Sequence, residues 1–338
     1  MVNIGVIGYG YWGPNLVRNF YQIAESNLTF VCDLNPDNLK KVRALYPKVE
    51  VTKDVDDVLN NSSIDAVVIA TSAITHYELA KKALLAGKHI MVEKPLTLSS
   101  KTSRDLIETA ERQGCILMVG HLLVYHPAIE YIKELVDSGS LGDIHYLYTQ
   151  RLNLGQVRTD ENALWSLAPH DISVISYLLG DTEPIEVSAR GASYITQGIE
   201  DVVFCSVALE GGAMAHIHVS WLDPHKIRKL TVVGNKKMAV FDDMESSEKV
   251  RVYDKGVGSN PDYASYGEDL TLRFGNITIP SIKMKEPLRA ECEHFIECVK
   301  TGKRPRSDGY DGLRVVKVLE AAQESLENGG KPIEIVRD

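Results

Sequence analysis

Residues 2–13 read VNIGVIGYGYWG. The stretch Val2–Gly8 is a short apolar run ending in glycine, the pattern of a fully buried strand. Helical periodicity begins directly after it, in NLVRNFYQIA (15–24). Between the two lie Gly8, Gly10 and Gly13, spaced as GxGxxG. The first glycine permits a tight turn, and the second lets the backbone approach a pyrophosphate. The third lets the helix pack closely on the strand, while the helix N-terminus attracts phosphate. Spacing alone is weak, but between a strand and a helix it points to a dinucleotide. The loop residues Tyr11 and Trp12 are therefore grouped with the cofactor contacts.

Working outward, LTFVCDLN (28–35) reads as the second strand and places Asp33 twenty residues after Gly13. A carboxylate there accepts hydrogen bonds from an adenosine ribose diol and repels a 2′-phosphate. Leu34 and Asn35 follow, with no arginine to receive that phosphate, so NAD is favoured over NADP. The α/β alternation continues. NLKKVRALY, VDDVLN, HYELAKKALLAG and SSKTSRDLIETAERQG read as helices, and IDAVVIAT, HIMVEKP and CILMVGH as strands. Parallel strands joined by helical crossovers make a doubly wound sheet. Its ligands bind at the carboxyl ends of the strands. Those ends carry Gly8–Gly13, Asp33, Thr71–Ser72, Glu93–Lys94–Pro95 and Gly120–His121.

The chain has 338 residues, enough for two domains. The expected division is 1–121, a Rossmann domain for NAD, and 122–338, an α/β domain for substrate binding and oligomerisation. After residue 121 the pattern changes to a helix, HPAIEYIKELVDSG, and then to alternating, β-favouring segments from DIHYLYTQRLNLG to KVRVYDKG. These predict a mixed or antiparallel sheet of several strands, one face of which can pair subunits into a homodimer or homotetramer. A net charge of −9 favours neither nucleic acid nor an anionic membrane as partner. Five cysteines, an odd number without a CxxC, read as reduced thiols. With no basic leader and no run of membrane-span length, the expected location is the cytoplasm. His216 and His218 alternate on one strand face, but no third ligand accompanies them, so no metal is expected.

Lys94 stands at a strand end before a proline. There it can donate to a substrate hydroxyl and stabilise a developing alkoxide. GxGxxG, Asp33, ATSAITH (70–76) and VEKP (92–95), with PHDISVISYLLGD and EPLRAECEHFIECVKTGKRPRSDGYDGLRVVKVLEAA later, resemble the Gfo/Idh/MocA oxidoreductases. The resemblance covers the whole chain. It implies a Rossmann domain followed by an α/β domain with a large open sheet, and hydride transfer at a nicotinamide with substrate held between the domains. It also implies that Lys94 is the lysine of the EKP motif, and that Thr71, Ser72 and His76 lie near the nicotinamide, with Glu93 among the cofactor contacts.

The stretch RLNLGQVRTDENALW (151–165) is dense in polar groups: Arg151, Asn153, Arg158, Asp160 and Asn162, closed by Trp165. Two arginine forks suit a diphosphate or carboxylate. Together with GYWGPNLVRNF and LAPHDIS, the stretch resembles one branch of the family, the WlbA/WbpB-like nucleotide-sugar 3-dehydrogenases of bacterial polysaccharide assembly. That branch implies a UDP-N-acetylhexosamine substrate, with C6 as a uronic acid or a plain alcohol, oxidised at C3. His170 reads as standing at a helix start, where the family places a catalytic histidine, and its ordinary pKa suits proton transfer. The wider family often has Asp four residues earlier. Here that residue is Ser166, so His170 leans on Asp171 or on substrate. His170 is assigned as base and Lys94 as orienting electrostatic group, with the reverse left open. The rivals are a dTDP-sugar 3-ketoreductase, a cyclitol or simple-sugar dehydrogenase, and a non-catalytic sensor of NAD or a sugar nucleotide.

Overall fold

In the computed structural model the described residues are 1–155, 157–159, 161–180, 182–259 and 270–336. Contacts divide the chain into two units. One comprises Met1–Tyr125 and Lys285–Lys317; the other comprises His126–Met284 and the chain from Val318 onward. The segment 285–317, assigned to the second domain in the sequence reading, thus packs with the N-terminal unit.

The first unit is built from β1 (Val2–Ile7), α1 (Gly13–Gln22), β2 (Ser26–Cys32), α2 (Pro36–Leu45), β3 (Glu50–Thr52), α3 (Val55–Leu59), β4 (Ala66–Ile69), α4 (His76–Leu85), β5 (His89–Glu93), α5 (Ser100–Gln113) and β6 (Leu117–Gly120). Among the described residues its sheet runs β3-β2-β1-β4-β5-β6, every pair parallel. The order reverses between β1 and β4, which creates the crevice where doubly wound sheets bind ligands. β4 is wholly buried because helices cover both faces, and so it reads as unbroken AVVI rather than alternating.

The second unit carries α6 (Pro127–Asp137), β7 (Ile144–Leu152), α7 (Ala163–Leu179), β8 (Pro184–Ala192), β9 (Val202–Leu209), β10 (Met214–Ser220), β11 (Ile227–Gly234), β12 (Met238–Asp242), β13 (Val250–Ser259) and β14 (Leu270–Thr278). Then α8 (Pro287–Thr301) returns to the first unit. The division falls inside α9 (Gly309–Glu327), and β15 (Ile333–Glu334) pairs with β8. The second sheet runs β14-β13-β12-β11-β7-β10-β9-β8-β15 among the described residues. It is mixed, because β7 and β10 are parallel while the other assigned pairs are antiparallel. Alternation along β9, with Val203, Cys205 and Val207 buried and Phe204 exposed, leaves one face of the sheet to solvent.

α8 meets α1 through an edge-to-face pair, Phe20 and Phe295, with ring centroids 6.3 Å apart. Both rings are fully buried. Each such burial stabilises by about 1.5–3 kcal/mol, which explains why a segment so distant in sequence joins this unit.

The tightest packing in the first unit is main chain on main chain. Gly8 has φ +101°, and a Cβ on it would lie 2.5 Å from the Ala70 carbonyl oxygen. A Cβ on Gly13 would collide with the Gly8 carbonyl oxygen. Backbone cannot yield as a flexible side chain can. Gly13→Ala should therefore lower the melting temperature and weaken NAD binding at least about tenfold, the size expected when a site residue is displaced by a few tenths of an ångström. Thermal melts and NAD titration of the variant check this.

Candidate active site

In the first unit the turn after β1 offers a phosphate cradle. A Cβ on Gly10 would meet nothing within 4 Å, so the main chain there faces open space. The first turn of α1 has Pro14, no side-chain cap and no acidic residue. Pro14 has no N–H and the Asn15 N–H donates to the Trp12 carbonyl at 2.9 Å, while the helix dipole at this end favours an anion. Tyr11 is exposed, while the Trp12 indole donates to the Glu93 carboxylate.

Asp33 is clamped rather than mobile. Its Oδ2 accepts the Tyr9 N–H at 2.6 Å, and its Oδ1 accepts from the Asn35 N–H at 2.8 Å and from Asn38 Nδ2 at 3.1 Å. The cap of α2 is Asn35, whose side chain accepts from Asp37 N–H. Three donors fix the carboxylate, and of its roughly four acceptor positions one remains for a ribose hydroxyl. Leu34 beside it is exposed. These features fit the adenosine and phosphate portions of NAD.

Further along the strand ends, the loop after β4 is pinned by its own hydroxyls. Thr71 Oγ1 and Thr75 Oγ1 lie 2.7 Å apart, and Thr75 donates to the Ser72 carbonyl through both Oγ1 and N–H. His76, at 1% exposure, places Nδ1 2.8 Å from the Pro95 carbonyl oxygen and Nε2 3.2 Å from that of Thr71. The Lys94–Pro95 peptide is cis. Glu93 accepts the Lys94 N–H at 3.3 Å and lies against Gly120, where a Cβ would come within 3.1 Å of its carboxyl group. Burial pushes the Glu93 carboxyl up to about 7, against the opposing pull of the Lys94 charge, the Lys94 N–H and Trp12.

Two further groups stand around this strand end. His121 is buried, its ring nitrogens have no hydrogen-bond partner among the described residues, and burial followed by the Lys94 charge pushes it down to about 3. Glu291 on α8 is 1% exposed, and both its oxygens lack a partner among the described residues. Burial, then the nearby Glu93 charge, hold it well above the usual carboxylate range. The sequence reading missed Glu291. The available signal was its place on the core stripe of α8, between Leu288 and Phe295, where a carboxyl is out of pattern.

In the second unit, α7 begins at Ala163, not near His170. Asn162 is its N-cap: Oδ1 accepts the Trp165 N–H at 3.1 Å, while Nδ2 donates to Glu200 at 2.6 Å and to Gln323 at 3.0 Å. The expected start failed because Pro169, a common helix-start residue, lies inside the helix. His170 and Trp165 are both partly buried residues of that helix. Ser166, four residues before His170, is buried. Asp171 is committed elsewhere, because Arg151 binds it bidentately, Nε at 2.8 Å and Nη2 at 3.1 Å, with both residues buried. Arg151 and Asp171 thus form an internal ion pair. Arg158 pairs with Glu161 at 3.1 Å and keeps 41% of its side chain exposed. Asn153 follows β7, its N–H donating to the Ser220 carbonyl. Asp160 lies outside the described residues.

A profile described as oxidoreductase family, NAD-binding Rossmann fold, matches residues 2–121, and the GFO/IDH/MocA C-terminal domain profile matches 129–240. The chain belongs to the Gfo/Idh/MocA family. Among its relatives is UDP-N-acetylglucosamine 3-dehydrogenase of Acidithiobacillus ferrooxidans, 27% identical over 96% of both chains. Another is myo-inositol 2-dehydrogenase of Thermotoga maritima, 25% identical over 96% of both. A solved structure of the Acidithiobacillus enzyme is 26% identical, with a TM-score of 0.81 over 97% of this chain and 98% of that one. As a Gfo/Idh/MocA protein this chain is an oxidoreductase of the sugar and polyol dehydrogenase type, with a Rossmann domain for NAD.

Glu291 yields a prediction for this family member. Its pKa is raised on folding, so between its unfolded value near 4.3 and its higher folded value the folded state binds the extra proton. Stability conferred by that proton is full at low pH and is lost as pH rises. Glu291→Leu removes an unpartnered buried acid of similar volume. Its melting temperature should exceed that of the parent, by a margin that widens from pH 5.5 to pH 8.5. Thermal melts at the two pH values check the margin.

Proposed function

We propose that the protein oxidises the C3 hydroxyl of a UDP-N-acetylhexosamine, UDP-N-acetylglucosaminuronic acid or UDP-N-acetylglucosamine, to the 3-keto sugar nucleotide, for bacterial polysaccharide assembly. The similarity to the UDP-N-acetylglucosamine 3-dehydrogenase along nearly the full length of both chains carries this reading. NAD is the preferred cofactor because the clamped Asp33 carboxylate would repel a 2′-phosphate. When bound, NAD⁺ supplies the acceptor for the hydride leaving C3. His170 takes the hydroxyl proton, and Lys94 holds the developing alkoxide by its positive charge. Trp165 and Asn153 belong to the substrate side. Of the two arginines assigned to the diphosphate, Arg158 keeps an exposed fork, whereas Arg151 and Asn162 support the fold around α7. A homodimer or homotetramer is part of the proposal, paired through the solvent face of the second sheet where Tyr146, Phe204 and Met214 are exposed.

The similarity to myo-inositol 2-dehydrogenase favours a second reading, oxidation of a cyclitol. Purified protein mixed with NAD⁺ and, in parallel, each UDP-sugar and myo-inositol separates the two by NADH absorbance, read with and without 2-oxoglutarate. NADH from one UDP-sugar alone is the expected result. A signal from myo-inositol with silence from both UDP-sugars replaces the proposal with the second reading. With the active substrate, Lys94→Ala and His170→Asn should each cut turnover at least about a hundredfold while NAD binding is kept. Turnover retained by either variant removes that residue from the mechanism.

A further inference from the structure

His76 was grouped with the cofactor contacts, and its geometry points elsewhere. The ring is 1% exposed, and each nitrogen faces a main-chain carbonyl oxygen. The two carbonyls belong to different strand-end loops. Thr71 follows β4, and Pro95 follows Lys94 directly. A neutral imidazole carries one N–H, and only the imidazolium could donate to both oxygens. Burial opposes the imidazolium, and the charge of Lys94 adds to that opposition, against the favourable pull of the Pro95, Thr71 and Leu96 main chain. One proton therefore serves two acceptors. The 2.8 Å contact is the better hydrogen bond and the 3.2 Å contact the poorer, which assigns the proton to Nδ1 and the bond to Pro95.

We propose that His76 is a positioning residue for Lys94: its Nδ1–H ties the Pro95 carbonyl to the base of α4 and so fixes the main chain that carries the lysine. Both ring nitrogens point at main chain, and the ring is buried. The loop it braces against is itself cross-linked, because the Thr75 hydroxyl meets the Thr71 hydroxyl and donates to the Ser72 carbonyl. On the other side, Lys94 N–H is held by Glu93, and Glu93 by Trp12. Lys94 thus has main-chain restraints before and after it, and His76 supplies the second. This inference rests on the proposed role of Lys94 in the reaction.

The test is a series of three variants. His76→Asn places an amide N–H near the position of Nδ1 and keeps the bond to Pro95. His76→Gln places its amide nearer Nε2, towards Thr71. His76→Phe keeps the ring volume and loses both contacts. In the holoenzyme, with whichever substrate reduces NAD, Asn should keep kcat within about threefold, whereas Gln and Phe should lower it at least about tenfold. The NAD dissociation constant should move less than about twofold in all three. Amide hydrogen exchange of the segment 93–97 should quicken in Phe and Gln and stay slow in Asn, a readout that needs no substrate.

A folded Phe variant with parental exchange and parental kcat overturns the inference. So does a rise in the NAD dissociation constant at unchanged kcat, which would make the ring a cofactor contact. Equal loss in all three variants, tracking their melting temperatures, would reduce His76 to a core residue. Lys94→Ala, run alongside, separates the two failures. If Lys94→Ala turns over normally while exchange at 93–97 still follows the predicted order, the role of Lys94 in the reaction fails and the bracing by His76 stands.

Discussion

The absence of room at two glycines orders much of the nucleotide unit. Main chain at Gly8 presses on Ala70, and main chain at Gly13 presses on Gly8. These contacts draw the carboxyl ends of β1 and β4 together and set α1 with its N-terminus open to an anion. Two lines of hydrogen bonds reach the EKP segment. One starts in the same turn and passes from Trp12 to Glu93 and on to the Lys94 N–H. The other joins His76, at the start of α4, to the Pro95 carbonyl. The turn that would hold the pyrophosphate and the lysine that would meet the substrate are thereby parts of one braced framework. That is the pre-organisation a hydride transfer requires, since small displacements of reacting groups are costly.

Electrostatics add a second layer. Glu93 sits near its ionisation point around pH 7, Glu291 is held neutral by burial and by the Glu93 charge, and His121 is held neutral by burial and by Lys94. Charge in this part of the unit is therefore concentrated on Lys94 and, above neutrality, on Glu93. A lysine with a carboxylate neighbour and neutral surroundings suits alkoxide stabilisation better than proton abstraction. This supports the assignment of the base to His170.

Most of the nucleotide fold was legible because its signals are local. A fully buried strand must be an apolar run, a tight turn must carry glycine, and Asp33 sits at a fixed distance along the chain from Gly13. What escaped depends on contacts between residues far apart in sequence. The return of 285–317 to the first unit rests on Phe295 meeting Phe20. The capture of Arg151 by Asp171 turns an apparent anion clamp into an internal ion pair, and nothing in RLNLG reveals a partner on α7. Pro169 misdirected the placement of His170, because proline inside a helix is rare enough that the start signal dominates. Asn162, a side chain of the type that caps helices, marked the true start seven residues earlier than Pro169. The two main-chain carbonyls that His76 faces, from two different loops, could be seen only in three dimensions.

The most direct test of the central claim follows the hydride itself. UDP-N-acetylglucosamine and its uronic acid, each carrying deuterium at C3, would be turned over with NAD⁺ and the reduced cofactor analysed by mass spectrometry and NMR. The account predicts one deuterium at the nicotinamide C4 of the NADH formed from one of these substrates. NADH formed without deuterium would place the oxidised carbon elsewhere on the sugar and contradict it.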